Sequence, residues 1–224
     1  KYNSASTLLD DDLIVDMPNG TVKQLLKINF DTTKIKTILV THLHGDHTAD
    51  IPFFLKYIFK DRKIEGPINI VGPRGTRKRI AKLFSVYKFE NYREMEKSFK
   101  INVIEILEDS IVVDNHKIDS YIVIHGKEKP SLGYVIDDKL GLTGDSTLCS
   151  GSEKIFSKSK LVVSDTSVIN GDRCHMGIDN VKYLLSKYNT KVIPTHLRDV
   201  TREALLQEKI DNLEVVEDFY ETEI

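Results

Sequence analysis

Along the whole of this chain short β-branched runs alternate with amphipathic or mixed stretches, and Gly, Asn and Asp punctuate the joins. That alternation points to an α/β architecture before any single residue is considered. Strands are predicted at LIVDM, KTILVT, INIVG, NVIEIL, SIVV, KIDSYIVIH, LGYVID, LGLTG, LVVS, KVIPT and LEVVED. Helices are predicted over TADIPFFLKYIFK, GTRKRIAKLFSVY and IDNVKYLLSKYN. The last of these sets Ile178, Val181, Leu184, Leu185 and Tyr188 on one face, which is a core face. Asn102 to Gly144 is strand-dense, and both flanks mix strands with helices. Two sheets sandwiched between layers of helices account for that order. With no linker, repeat or low-complexity tract in 224 residues, one domain spanning 1–224 is expected.

Composition removes several classes of function. A formal charge of -2 does not describe a general glove for nucleic acid. No apolar stretch approaches the roughly 18 residues of a membrane helix, and KYNSASTLLDDD has no signal-peptide core, so a cytoplasmic protein without a membrane partner is expected. Two cysteines, Cys149 and Cys174, cannot build a disulfide framework and have no metal-site spacing; neither is expected to ligate.

Three of the seven histidines fall within THLHGDH, residues 41 to 47, directly after an apolar run. A strand ending at Thr41 and a helix starting near Thr48 leave HLHGDH on the connecting loop, where ligand sites favour the end of a strand. Side chains alternate on extended backbone, so His42 and His44 reach the same side. Gly45 is expected to allow a sharp turn that presents Asp46 and His47 to a neighbouring point. Nitrogen and carboxylate donors without thiolates suit zinc, manganese or iron, with zinc as the default. Such a loop cannot complete two metal sites alone. His125 closes YIVIHG, Asp145 ends GLTGDS and His196 ends VIPTH, each where an apolar run meets a loop.

Together these segments resemble the metallo-β-lactamase superfamily, whose HxHxDH motif reads here as His42, His44, Asp46 and His47. The resemblance runs in order through LIVDMPNGT, THLHGDH, IHGKEKPSLGYVI, LTGDS and PTHL, nearly the whole chain. It implies an αββα sandwich, two mixed β-sheets flanked by helices, with a dinuclear site along one edge. It further implies that His42, His44 and His125 hold one divalent ion, that Asp46, His47 and His196 hold the other, and that Asp145 bridges them. VGPRG, IHG…SLGYVI and VSDTS followed by CHMG resemble the ribonuclease Z and cyclic-phosphodiesterase branch. By that likeness His175 protonates the leaving group and Asp165 supports it, while Asp16 stands behind the metal ligands.

The implied chemistry is phosphodiester hydrolysis. Two cations lower the pKa of a bridging water and offset charge on the phosphoryl oxygens, Asp46 and Asp145 position the nucleophile and the metals, and His175 supplies the proton to the departing oxygen. The substrate expected is a small phosphodiester, cyclic-nucleotide-like or a sugar cyclic phosphate, or a short RNA. Ribonuclease Z enzymes that process tRNA usually carry an arm between the glycine-tyrosine strand and the bridging-aspartate strand, whereas GYVIDDKLGLTGDS runs straight through. Pro18 stands where relatives often have glycine. Ser164 stands where the branch commonly has histidine, and Asp165 where it has glutamate, which leaves the reach of the shorter carboxylate to His175 open.

The alternatives are hydrolysis of a lactone, thioester or β-lactam by the same hydroxide, and a non-catalytic metal-loaded scaffold. A di-iron redox site is disfavoured because Gly45 occupies the position of a glutamate ligand. Many relatives form homodimers, but no stretch identifies an interface. Arg74, Arg77, Lys78, Arg79 and Lys82, preceded by Arg62 and Lys63, make a basic run that reads first as a solvated helix face and second as an RNA contact. No aromatic residue interleaves with it to make a stacking platform for single strands. His116, in VVDNHKID, is expected at the surface.

Overall fold

A computed structural model describes residues 4–61, 66–89, 92–98 and 100–224. Arg62 and Lys63 of the basic run lie outside the described residues. Backbone contacts divide the chain at Ile106 and Leu107 into two compact units.

The unit ending at Ile106 holds a five-stranded sheet in the order β1 (Thr7–Leu9), β2 (Leu13–Val15), β3 (Thr37–Leu39), β4 (Ile68–Pro73) and β5 (Ile101–Ile106). β1 runs antiparallel to β2, and every later pairing is parallel. Parallel strands need crossovers, which α1 (Thr21–Lys27), α2 (Gly45–Thr48), α3 (Ile51–Lys56), α4 (Thr76–Val86) and α5 (Tyr92–Lys97) help to make. β2 and β3 are buried at every position, so they read as continuous apolar runs and not as alternation. Ile14, Ile38 and Ile70 pack with Phe54, Leu55, Ile80 and Phe84 in one apolar core. The helix expected over residues 48 to 60 is broken: α2 starts at Gly45, α3 restarts with Pro52 in its first turn, and Tyr57–Asp61 is a π-helical turn. Proline lacks the N–H a continuing helix would use, which favours a fresh start there.

The unit beginning at Leu107 holds a six-stranded sheet in the order β11-β10-β9-β8-β7-β6. β6 (Ser110–Val113), β7 (His116–His125), β8 (Glu128–Ile136) and β9 (Leu140–Leu142) form an antiparallel meander. β10 (Leu161–Asp165) and β11 (Lys191–Thr195) then add in parallel through α6 (Ser150–Lys158) and α7 (Ile178–Lys187), and α8 (Asp199–Gln207) follows. The α7 face predicted from spacing is a core face: Val181 and Leu184 are fully buried, and Leu185 and Tyr188 pack against the same cluster.

Two expectations fail in this unit. His116 is buried, not superficial: its Nδ1 lies 2.7 Å from Asp137 Oδ2 in the turn after β8. Asp137 also accepts the Lys117 N–H at 2.8 Å, so hairpin pairing brings together residues 21 positions apart. LEVVED is not a strand. Only Leu213 bridges Val192, and beyond it the Val216 carbonyl accepts from Arg202 Nη2 at 3.1 Å, so a side chain replaces the strand ladder. β8 and β9 are joined by residues 137–139 alone, with Asp137 and Asp138 both at positive φ, so no arm is inserted there.

Candidate functional site

In the first unit the chain leaves β3, runs through Thr41 to His44 without regular structure, and enters α2 at Gly45. His42 is fully buried and its Nε2 lies 3.0 Å from His44 Nδ1, so the expected convergence of these two imidazoles is present. The turn into the helix needs no glycine-only conformation: Gly45 is absent from the positive-φ residues, and extended His44 acts as the N-cap. Asp46 and His47 therefore project from the first turn of α2, where a helix N-terminus favours a carboxylate. His47 is buried and its ring centroid lies 4.0 Å from that of His42.

Asp16 organises this group from β2's end, in a left-handed backbone conformation with φ 58°. Its carboxylate accepts the Thr41 N–H at 2.9 Å and the Thr41 hydroxyl at 2.7 Å. His47 Nδ1 lies 2.7 Å from the same carboxylate, which fixes the ring and presents Nε2 as its other nitrogen. Asp16→Ala is expected to lower divalent-metal affinity by about 10- to 100-fold, as loss of an orienting carboxylate does. Competition with a chromogenic chelator measures it, and unchanged affinity would remove Asp16 from that role. Arg79, which the sequence grouped with a solvated basic face, donates from Nε to Thr48 Oγ1 at 3.3 Å and so reaches the motif helix.

In the second unit five side chains gather at the ends of β7, β9, β10 and β11. His125 is the last residue of β7, and its Nδ1 donates to the Cys174 carbonyl at 2.9 Å. Asp145 follows β9 and is buried, with Oδ2 3.4 Å from His196 Nε2 and 3.8 Å from His125 Nε2. His196 follows β11 in a left-handed conformation, and its Nδ1 lies 3.3 Å from Ser167 Oγ. His175 stacks on His196 with centroids 5.1 Å apart and meets His125 edge-on at 4.9 Å. His125, Asp145 and His175 each offer an atom within 4.8 Å of the others, as do Asp165, His175 and His196.

The reach left open by the shorter carboxylate is made. Asp165, fully buried at the end of β10, receives His175 Nδ1 at 2.8 Å. It also accepts the Ser146 and Ser167 N–H groups at 2.9 and 3.0 Å, so its orientation is fixed by three donors. That hydrogen bond raises His175 above the ordinary histidine range, against the opposing effect of its partial burial. Asp172 was not identified from sequence. Its carboxylate accepts the Cys174 and His175 N–H groups at 2.7 and 2.8 Å and shapes the loop that carries His175. The signal was an Asp three residues before the histidine, an Asx-turn pattern common in many loops.

The donor chemistry fits divalent metal. His47 and His125 are each held through Nδ1 by an oxygen acceptor, the usual support for a ring that ligates through Nε2. Cys149 and Cys174 belong to no metal-type cluster among the described residues, and Cys174 acts through its backbone carbonyl. Among the described residues no helix is long and apolar enough to cross a membrane.

The family described as Anti-Pycsar protein Apyc1 matches residues 2–219. A ribonuclease Z of Methanococcus maripaludis is 35% identical over 140 residues, 60% of this chain and 42% of that protein. The chain thus spans about two fifths of the length of the curated relatives it matches. Among solved structures, a diphosphatase from the PhnP family aligns with a TM-score of 0.76 at 18% identity, covering 97% of this chain and 82% of its own. The short form of human tRNase Z aligns with a TM-score of 0.69 at 19% identity, covering 98% and 95%. These likenesses show the fold class expected from the sequence, two mixed sheets with flanking helices.

Proposed function

The chain belongs to the Anti-Pycsar protein Apyc1 family, within the metallo-β-lactamase superfamily near ribonuclease Z, and from that membership we propose that it is a metal-dependent phosphodiesterase for a small phosphodiester. The observation that carries the reading is the Asp165–His175 pair, set beside Asp145 and His196. A carboxylate, an oriented imidazole and a cluster of metal-type donors are the parts that phosphoryl hydrolysis with a poor leaving group requires.

By the family's ligand pattern, His42, His44 and His125 would hold one divalent cation, Asp46, His47 and His196 a second, and Asp145 would serve both. Zinc suits this donor set best, with manganese or iron as alternatives. Bound there, such cations supply an activated water and offset charge on the phosphoryl oxygens. His175 is tied to Asp165 through Nδ1, so Nε2 is the atom from which it gives a proton to the departing oxygen. Asp165 keeps the ring in that orientation and favours its charged form.

The short β8–β9 turn supports a small substrate over tRNA, since no insertion at that place is available to hold a folded RNA. Zinc-reconstituted protein is expected to hydrolyse cyclic mononucleotides and bis-p-nitrophenyl phosphate, and to leave precursor tRNA, nitrocefin and thioesters intact. Cleavage of precursor tRNA alone, or of carboxyl-type substrates alone, would replace this reading with a rival. A metal-loaded protein that turns over none of them would make it a binding scaffold.

A further inference from the structure

We propose that the cavity at the start of α4 is a second binding site, for a small molecule bearing a phosphomonoester or free phosphate. The inference concerns the first unit alone and does not rest on the hydrolase reading. The cavity measures about 420 Å³, within the range of roughly 300 to 1,000 Å³ typical of small-ligand pockets. Arg74, Arg77, Lys78 and Arg93 line it against two carboxylates, Glu96 and Glu105.

The partners of these groups define what remains for a ligand. Arg77 is engaged: its guanidinium pairs with Glu96 and donates from Nη2 to the Val103 carbonyl at 3.0 Å. Glu105 is engaged as well, because Oε1 accepts the Gly75 and Arg77 N–H groups at 3.1 and 3.0 Å and so caps the eleven-residue α4. Arg74, Lys78 and Arg93 have no ion-pair partner among the described residues. Among the described residues, three cations thus line this surface without an ion-pair partner, beside Glu96 and Glu105, which are engaged elsewhere.

Tyr92 is the independent observation. It lines the same cavity, is only 7% exposed, and its ring is held 5.4 Å from Phe84. Its hydroxyl is buried without a hydrogen-bond partner. Burial raises this phenol to about 12, so it stays protonated and remains a donor. Buried polar groups are nearly always satisfied, so the orphan hydroxyl marks the wall behind these cations as short of an acceptor, and an anion seated in the cavity would help to balance it. A phosphate dianion offers several acceptor oxygens in the geometry that guanidinium groups match. The cavity volume allows a mononucleotide as well as inorganic phosphate.

Amide NMR shifts in the full, zinc-loaded chain test the site, with inorganic phosphate, adenosine 5′-monophosphate and adenosine as probes. Saturable shifts at Gly75, Arg77 and Tyr92 are expected with the two phosphates and not with adenosine. Tighter binding of the monophosphate than of inorganic phosphate would identify a nucleotide as the ligand, and equal affinity would identify the phosphate alone. Arg74→Gln with Arg93→Gln should weaken binding about tenfold. Tyr92→Phe, which keeps the packed ring, should weaken it by a smaller factor. Glu105→Gln retains an acceptor for the helix amides while removing a charge, and should tighten binding about threefold. A merely structural role for Glu105 would not produce that gain. Shifts confined to residues 42–47, no saturable shift, a response to single-stranded RNA only, or indifference to Glu105→Gln would overturn the assignment.

Discussion

Asp145→Ala is expected to cut phosphodiester turnover by on the order of 10³-fold, which corresponds to about 4 kcal/mol of lost transition-state stabilisation. The carboxylate is buried, and its Oδ2 lies within 3.4 Å of His196 Nε2 and 3.8 Å of His125 Nε2. On the proposed ligand pattern, alanine would leave those imidazoles with no anion to balance a bound cation and no oxygen to complete its coordination. The loss should appear first in metal content, measured by plasma mass spectrometry after dialysis, and then in rate. Thermal unfolding in excess chelator separates this from misfolding: there the variant should be no less stable than the parent if, as proposed, the carboxylate serves a metal and not the core. Asp138→Asn, on the exposed β8–β9 turn, is the control and should change neither quantity. An Asp145→Ala protein that kept full metal content and full rate would end the metal-hydrolase reading.

The parts of this molecule that were legible in the sequence depend on short-range signals. Apolar runs marked ten of the eleven strands among the described residues, and the missing β1 is only three half-buried residues. The α7 face was readable because 3.6-residue periodicity is local. His42 and His44 were legible as a pair because alternation on extended backbone acts over two residues. What escaped depends on partners far along the chain. His116 looked superficial because Asp137, 21 residues away, is brought to it by hairpin register. LEVVED has strand-like composition, yet Arg202 takes the Val216 carbonyl and only one bridge forms. Gly45 invited a backbone explanation that the helix start makes unnecessary. The reach from Asp165 to His175 could not be judged from side-chain length, because the loop shaped by Asp172 closes the gap that a shorter carboxylate would leave. Arg79 and Tyr92 belong to the same class: one contacts the motif helix and the other carries an unpaired hydroxyl, and neither property has a sequence signature.

His175→Ala is expected to produce the second large effect, and its size should depend on the leaving group. General acid catalysis contributes about 10² to 10⁴-fold when the departing oxygen leaves as a strongly basic alkoxide. A cyclic nucleotide releases a sugar alkoxide, so the variant should lose that full factor on it. Bis-p-nitrophenyl phosphate releases a nitrophenolate that is already stable as an anion, and on this substrate the loss should be much smaller. Metal content should stay at the parental level, which distinguishes loss of the acid from loss of a ligand. Asp165→Asn should follow the same leaving-group pattern with a smaller amplitude, because the carboxylate acts through the imidazole it orients. Such a split cannot come from a general disturbance of the fold, which would lower both rates alike. Equal losses on the two substrates would instead mean that His175 holds the phosphoryl group or a metal, and the proton would have to come from elsewhere.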